Sequence, residues 1–246
     1  MGTYLSVVYA LATYVFFVGT FVYTVGFLGN FGVPKTINTG GPDTPAAMAV
    51  AINLALLGLF AVQHSVMARA GFKRWWTRIV PPVVERSTFV LFATAALALL
   101  LWQWRPLPAV IWDLRGSAAG VALQAVFWTG WVVLFVSTFL INHFELFGLR
   151  QVYARLAGLP IPDSEFRTPF LYRYVRHPLY LGFLLAFWAA PRMTVGHLLF
   201  AAMSTCYILV GTWFEERDLI AQFGDRYRRY REQVGMLLPR RLRGPS

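Results

Sequence analysis

Long apolar stretches, separated by short polar segments, divide this chain into a regular series. Stretches without a charged side chain cover about 4–28, 46–67, 87–104 and 118–141. Each is close to the roughly 20 residues that an α-helix needs to cross a bilayer. The pattern therefore predicts four membrane-spanning helices.

A further apolar region near the C-terminal end is interrupted. Residues 179–190 are apolar, Pro191 and Arg192 break the run, and residues 195–214 are apolar again. The first piece is short for a complete crossing, so we expect the two pieces to form a helical hairpin that enters and returns to the same side of the membrane.

An amphipathic helix is predicted beyond this hairpin, within 215–239. Its apolar members recur at steps of three or four, which places them on one helical stripe. They are Leu219, Phe223, Tyr227, Tyr230 and Val234. Arginines occupy the other faces, which suits a helix that lies on an anionic cytoplasmic surface or folds over the mouth of the hairpin.

The predicted fold class is all-α: a polytopic membrane helical bundle with four spans, a C-terminal helical hairpin and a cytoplasmic amphipathic helix. Composition agrees, since the 246 residues are 57% hydrophobic and only 13% charged, too few charges for a soluble domain of this length. Residues 1–34 carry no charge, unlike a signal peptide with its basic start, so the first span is expected to be retained. One membrane domain, 1–246, is predicted, because no connection is long enough for another.

The 22 Lys and Arg side chains are unevenly distributed and orient the predicted helices. Five lie in 69–86, five in 142–178 and eight after residue 213, against four elsewhere. Basic residues concentrate in cytoplasmic loops, so we expect these segments and both termini to face the cytoplasm. Topology thus accounts for the net charge of +11, and no nucleic-acid partner is expected.

Polar side chains gather at this predicted cytoplasmic level, at the end of the second span, after the fourth span and at both ends of the hairpin. They are Gln63, His64, Ser65, Asn142, His143, Glu145, residues 172–180, Glu215 and Glu216. Buried polar groups at membrane depth are costly, so the concentration favours a binding or catalytic site. Taken singly, each type of side chain has a simpler explanation. Arginines anchor helix ends on the cytoplasmic side, tyrosines form an aromatic belt at the membrane interface, and a histidine hydrogen-bonds a neighbouring helix.

Several classes of site are not supported. The four histidines share no HxxxH or HxxH spacing, so no metal site is predicted. The single cysteine, Cys206, excludes an internal disulfide, a cysteine-based zinc site and a CxxC redox pair. GxGxxG, P-loop and GxSxG motifs do not occur.

Three motifs in the C-terminal part carry a resemblance to a known family. "RHPLYLG" at 176–182 is followed by "EERDL" at 215–219 and by "FGDRYRRYREQVGMLLP" at 223–239. In order and spacing, these motifs resemble the isoprenylcysteine carboxyl methyltransferase-like superfamily of integral membrane methyltransferases.

Three motifs nearer the N-terminus extend the resemblance over nearly the whole chain. They are "QHSVMAR" at 63–69, "FKRWWTRIVPPVVERS" at 72–87 and "NHFELFGLRQVY" at 142–153. The fuller pattern is similar to the bacterial methanethiol S-methyltransferases, which make dimethyl sulfide.

The resemblance implies S-adenosylmethionine as the methyl donor and a cofactor-binding part at about 142–239. The residues that match the family's cofactor motif are Tyr172, His177, Pro178, Leu179, Tyr180 and Gly182, together with Glu215. Their chemistry is suitable, because amides at a helix start hold a carboxylate, a glutamate holds an amine, and aromatic faces pack on adenine or the sulfonium.

The resemblance further implies that the acceptor is methanethiol or a similarly small thiol, in a reaction at the membrane. Methyl transfer from a sulfonium to a thiolate removes two opposite charges, so a site of low dielectric favours it. The thiol must first lose its proton. We predict His64 and His143 as candidate bases, with Arg176 as electrostatic help.

Two alternative functions stay open at this point. One is carboxyl methylation of an isoprenylated cysteine, or methylation of another lipid or thiol, within the same superfamily. The other is a non-catalytic membrane subunit or a transporter, although transporters place ionisable groups at the midplane and use repeats that are not evident here. The sequence does not determine an oligomeric state.

Overall fold

The computed structural model describes residues 2–160 and 166–240, which hold ten α-helices and two short strands. In chain order they are α1 (Thr3–Gly29), α2 (Ala46–Ala68), α3 (Ala70–Trp76), α4 (Pro82–Gln103), β1 (Val110–Asp113), α5 (Ala118–Ile141), α6 (His143–Leu146), α7 (Leu149–Ala157), α8 (Pro178–Trp188), β2 (Arg192–Thr194), α9 (Val195–Phe223) and α10 (Asp225–Gln233). A 3-10 turn covers Phe170–Arg173. Parts of the predicted domain, at 161–165 and 241–246, lie outside the described residues.

Five helices, α1, α2, α4, α5 and α9, are long and apolar enough to cross a membrane. The predicted all-α polytopic membrane bundle is thereby confirmed. The predicted boundary of the third span is wrong, since α4 begins at Pro82 rather than near 87. Proline suits a first helical turn, and Glu85 in that turn complements the helix dipole, so the charged residues there do not delay the helix.

The predicted hairpin forms with arms of unequal length. α8 has 11 residues, about 16 Å at the α-helical rise, which is shorter than the hydrocarbon core of a bilayer. α9 has 29 residues. The arms run antiparallel, because the Trp188 indole donates to the Thr205 hydroxyl while Tyr180 donates to Glu215.

α9 extends beyond the end predicted from hydropathy. It continues to Phe223, nine residues past the predicted end at 214. Glu215 and Glu216 therefore lie within a continuous helix, and their backbone positions are fixed by it. Hydropathy does not detect this extension because it begins with four consecutive charged residues, at 215–218.

The single stripe predicted over 215–239 is also wrong, because the helix breaks at Gly224. This glycine has φ of 55°, in the left-handed region that residues with a Cβ seldom adopt. α10 starts at the next residue, so Phe223 and Tyr227 belong to different helices. The alternative that the segment folds over the hairpin mouth is confirmed by its contacts, which are described below.

The described chain divides into two compact units. Within the described residues, the first comprises 2–113, 142–160 and 193–200, and the second comprises 114–141, 166–192 and 201–240. In the first unit, α1 and α2 both pack on α4, and α7 packs on α1. One of its core clusters is formed by Met67, Phe89, Val90 and Phe147.

The second unit is built around a close crossing of α5 and α8. A Cβ placed at Gly130 would meet the Ala186 backbone nitrogen at 2.6 Å, and a Cβ at Gly182 would meet the Leu134 nitrogen at 2.6 Å. Small residues allow membrane helices to approach in this way. The close neighbour of Gly182 is thus the backbone of α5.

We expect Gly182→Ala to destabilise the protein by about 1–3 kcal/mol, because the added methyl group must separate two backbones. Gly211→Ala in α9 is the matched control, since nothing lies within 4 Å of the Cβ position there. Thermal unfolding in nanodiscs, followed by tryptophan fluorescence, measures both variants. An unfolding temperature of Gly182→Ala equal to that of the wild type would contradict the crossing.

Candidate functional site

The second unit brings the start of α8 against the polar part of α9. Pro178 is the first residue of α8, where its missing N–H costs nothing, and His177 precedes it in a non-helical conformation. The His177 ring is stacked on Tyr180, with centroids 5.5 Å apart and planes 23° apart. The two rings form a stacked aromatic pair at the hairpin mouth, in which the His177 ring is buried.

Glu215 lies beside the stacked rings of His177 and Tyr180. Its Oε2 accepts a 2.7 Å hydrogen bond from the Tyr180 hydroxyl and lies 3.9 Å from His177 Nδ1. The Glu215 side chain is 45% exposed, whereas that of His177 is only 5% exposed. Glu215 is therefore a carboxylate that is anchored by a neighbour and still accessible to a ligand.

Glu216 has a different environment, because adjacent helical residues point about 100° apart. Its Oε1 lies 2.7 Å from Arg176 Nε and 3.1 Å from His177 Nε2. The side chains of Glu216 and Arg176 are 12% and 7% exposed. This buried triad of Arg176, His177 and Glu216 fixes both the histidine ring and the entry to α8.

The residues after α10, at 234–236, form a strap along the residues before α8. Val175 and Gly235 form a parallel β-bridge. The backbone nitrogens of Arg176 and His177 donate to the carbonyls of Gly235 and Met236, at 2.8 and 3.1 Å. The described site thus has one wall made of main chain from the C-terminal segment.

Arg176 links this strap to the triad. Its Nη1 donates to the carbonyl of Arg231, in the last turn of α10, and to the carbonyl of Val234, just after that helix. Helix ends leave carbonyls without intrahelical partners, and a buried guanidinium with several donors satisfies them. Arg176 therefore has a positioning role, and its predicted electrostatic help to the reaction stays a prediction.

Tyrosines from the 3-10 turn and from α10 border the same region. The Tyr230 hydroxyl donates to the Tyr172 carbonyl at 2.5 Å. Burial, and then the negative charge of Glu215, raise the pKa of Tyr172 well above its ordinary value. Burial likewise raises the pKa of Tyr230 to about 12. Both phenols stay protonated near neutral pH and can act as hydrogen-bond donors, not as bases.

His143 lies in the first unit, at the start of α6. Asn142 caps this helix with φ of 114°, and its side chain donates to Glu145 at 2.7 Å. His143 is buried, and its Nε2 lies 2.8 Å from the Tyr14 hydroxyl. Desolvation lowers the pKa of His143, so the neutral imidazole, which can accept a proton, predominates at pH 7.

His64 is the other predicted base and also belongs to the first unit. Its ring packs between Phe60 and Phe89, with centroid distances of 5.5 and 4.9 Å. His143 packs on Phe147 at 4.8 Å, and Phe89 and Phe147 belong to one core cluster. Both histidines therefore border the same apolar cluster.

The residues predicted from sequence thus fall into two groups. The second unit holds Tyr172, Arg176, His177, Pro178, Leu179, Tyr180, Gly182 and Glu215, and the first unit holds His64 and His143. Within 2–160 and 166–240, no group of three His, Cys, Asp or Glu side chains is placed to hold a metal ion.

Some residues of the arrangement were not predicted. Tyr14 is one of four tyrosines in α1, and nothing in the sequence relates it to His143, which is 129 positions away. Gly130 is one of two glycines in α5, and nothing in the local sequence indicates its crossing with α8. The strap contributes carbonyl groups, which every residue has, so no residue type could have indicated it.

Curated proteins similar to this chain extend over most of its length. A "Methanethiol S-methyltransferase" of Mycobacterium tuberculosis is 59% identical over 97% of this chain and 98% of its own length. Another, from Pseudomonas deceptionensis, is 50% identical over 89% of this chain and 83% of its own. "Nurim" of Rattus norvegicus is 32% identical over 85% of this chain and 87% of its own. No family model matches the sequence, and no solved structure matches the fold.

Proposed function

The chain belongs to the methanethiol S-methyltransferase family, and we propose that it transfers a methyl group from S-adenosylmethionine to methanethiol, giving dimethyl sulfide. The observation that carries this proposal is the near full-length identity to proteins of that name. The protein is an integral membrane enzyme, and the described second unit supplies a chemically suitable site for the donor.

The donor site is proposed at the mouth of the hairpin. S-adenosylmethionine, when bound, supplies an electrophilic methyl group on a sulfonium. The accessible carboxylate of Glu215 suits the amino group or the sulfonium, and the stacked rings of His177 and Tyr180 suit a flat or cationic partner. Tyr172 and the start of α8 at Pro178 complete the proposed lining, with amides that suit a carboxylate.

The remaining predicted residues support the proposed donor site from positions around it. Leu179 and Gly182 lie in the first turns of α8, and Gly182 sets the distance to α5. The buried triad holds the His177 ring. The donor site, at about 142–239 in the proposal, includes residues 161–165, which lie outside the described part of the chain.

For the acceptor, we favour His143 over His64 as the group that takes the thiol proton. His143 is held by Tyr14 and is neutral at pH 7 because desolvation lowers its pKa. A neutral imidazole carries a lone pair that can take a proton, which a charged imidazolium lacks. The apolar cluster beside both histidines suits a small uncharged thiol and excludes water, which favours a reaction that removes charge.

Glu215→Gln is expected to weaken S-adenosylmethionine binding by about 1.5–3 kcal/mol, because it removes a charge-assisted hydrogen bond. That loss is roughly 10- to 150-fold in Kd. Isothermal titration calorimetry on the purified protein measures it. Glu232→Gln, at an exposed position on α10, is the matched control. Unchanged affinity in a folded Glu215→Gln protein would remove Glu215 from the donor site.

The donor site is proposed to face the cytoplasm, since 69–86 and 142–178 carry most of the basic residues between spans. In a Cys206→Ser background, cysteines at positions 160 and 43 report on opposite sides. An impermeant maleimide added to intact cells should label position 43 and spare 160 until the membrane is opened. Labelling of 160 in intact cells would reverse the orientation.

The proposed acceptor is tested by a panel of thiols supplied with S-adenosylmethionine, with volatile products read in the headspace. Methanethiol has two heavy atoms, and the ceiling of roughly 1.5 kcal/mol per atom limits its binding energy to about 3 kcal/mol. We expect turnover with a high KM and selection by size. Methylation of a farnesylated cysteine peptide, without methylation of methanethiol, would replace this proposal by carboxyl methylation.

A further inference from the structure

A basic pocket between the residues before α8 and α10 shares none of its described lining residues with the proposed methyl-transfer residues. Its volume is about 580 Å³, and all of its described lining belongs to the second unit. Four arginines line it: Arg167, Arg173, Arg226 and Arg229. None of the described lining residues is acidic.

The pocket has a fixed aromatic floor. The Arg226 guanidinium lies 5.2 Å from the centre of the Phe166 ring, at cation–π distance. Phe166 packs in turn on Tyr230, at 5.3 Å, and on Tyr227, which is only 2% exposed. The arginine is thus held against a surface that is continuous with the buried part of the unit.

The two arginines of α10 act as a pair on one helical face. Arg226 and Arg229 are three residues apart, a spacing that brings side chains together on a helix. Like charges at that spacing repel each other. A phosphate group accepts paired hydrogen bonds from guanidinium groups. Its negative charge between the two arginines offsets their repulsion and favours binding.

Exposed aromatic side chains close to Arg173 in the sequence indicate the source of the phosphate. Phe170 lies three positions before Arg173 and Tyr174 one position after it, and they are 62% and 59% exposed. Aromatic residues beside basic ones are typical of the headgroup level of a membrane. A soluble anion would not require these apolar surfaces, whereas a lipid surface covers them.

We propose that this pocket binds the phosphate of an anionic phospholipid headgroup, with Arg173, Arg226 and Arg229 as its ligands and the neighbouring aromatics in the interface. This site is separate from the methyl-transfer chemistry and does not rest on it. It anchors α10, and therefore the strap at 234–236 that follows it, to the membrane surface.

The test measures fluorescence anisotropy of acyl-labelled phosphatidylglycerol with the full-length protein in detergent micelles. Arg226→Gln/Arg229→Gln removes two pocket cations. Arg228→Gln/Arg231→Gln is the matched control, because it removes equal charge at equal spacing from the same helix, outside the described lining. We expect affinity to fall about tenfold or more in the pocket variant relative to the control, given the contribution of each arginine near an anionic surface.

Four results would overturn the proposal. Equal loss in the two double variants would mean that only the overall charge of α10 matters. Complete displacement of the labelled lipid by millimolar inorganic phosphate would make the pocket a site for free anions. Displacement of the lipid by S-adenosylhomocysteine would make it part of the donor site. Labelled phosphatidylcholine should bind both variants equally weakly, and a preference for it would also contradict the proposal.

Discussion

Replacing Glu216 by glutamine is expected to destabilise the protein by about 3–5 kcal/mol, since removing one partner of a buried ion pair leaves the other charge uncompensated. The pair is well shielded, because the side chains of Glu216 and Arg176 are 12% and 7% exposed. Arg176 also holds the carbonyls of Arg231 and Val234. Loss of its anionic partner should therefore loosen the strap at 234–236 as well.

Unfolding in nanodiscs measures this effect, with Asp225→Asn as the control. Asp225 pairs with Arg228 at 2.7 Å on the surface, where the side chains are 75% and 58% exposed. Exposed pairs contribute roughly 0–1 kcal/mol, so Asp225→Asn should be nearly neutral. Similar unfolding temperatures for the two variants would show that the triad does not stabilise the site.

Replacing His143 by alanine is expected to reduce kcat by about 100-fold or more, the usual contribution of a positioned general base. The affinity for S-adenosylmethionine should be retained, because His143 is not among the proposed donor-binding residues. Tyr14→Phe is the matched control: it keeps the ring contacts and removes only the 2.8 Å hydrogen bond. We expect a smaller loss, within about tenfold, for this loss of orientation.

The pH profile separates a base from a structural histidine. Desolvation lowers the pKa of His143, so the imidazole stays neutral down to a lower pH than usual, and wild-type activity should fall only when it becomes protonated. In His143→Ala, turnover should depend on thiolate already present in solution and rise steeply toward alkaline pH. Full activity of His143→Ala across the pH range would exclude it as the base.

Most of the helical framework could be predicted from hydropathy, because the bilayer sets a minimum length for apolar segments. α5 was predicted to the residue, and α2 to within one residue. The break at Gly224 could not be predicted, because the helical spacing of apolar residues continues across it. Only the positive φ of the Gly224 backbone interrupts the helix. The strands β1 and β2 are short segments whose pairing connects positions about 80 apart, for which the local pattern carries no signal.

The site could be predicted only as far as its motifs extend. His177, Tyr180 and Glu215 are brought together as the motif match implied, and helix periodicity explains why Glu216 points elsewhere. The partners of Arg176 could not be predicted, because two of them are backbone carbonyls that no residue type marks.

The most direct test of the proposed reaction follows the methyl group itself. The purified protein in nanodiscs is supplied with S-adenosylmethionine carrying a deuterated methyl group and with unlabelled methanethiol, and the headspace is examined by mass spectrometry. The proposal predicts dimethyl sulfide with one deuterated methyl group, formed in step with S-adenosylhomocysteine and reduced in the Glu215→Gln protein at limiting donor. Formation of S-adenosylhomocysteine without labelled dimethyl sulfide, or no turnover by folded protein that binds the donor, would contradict it.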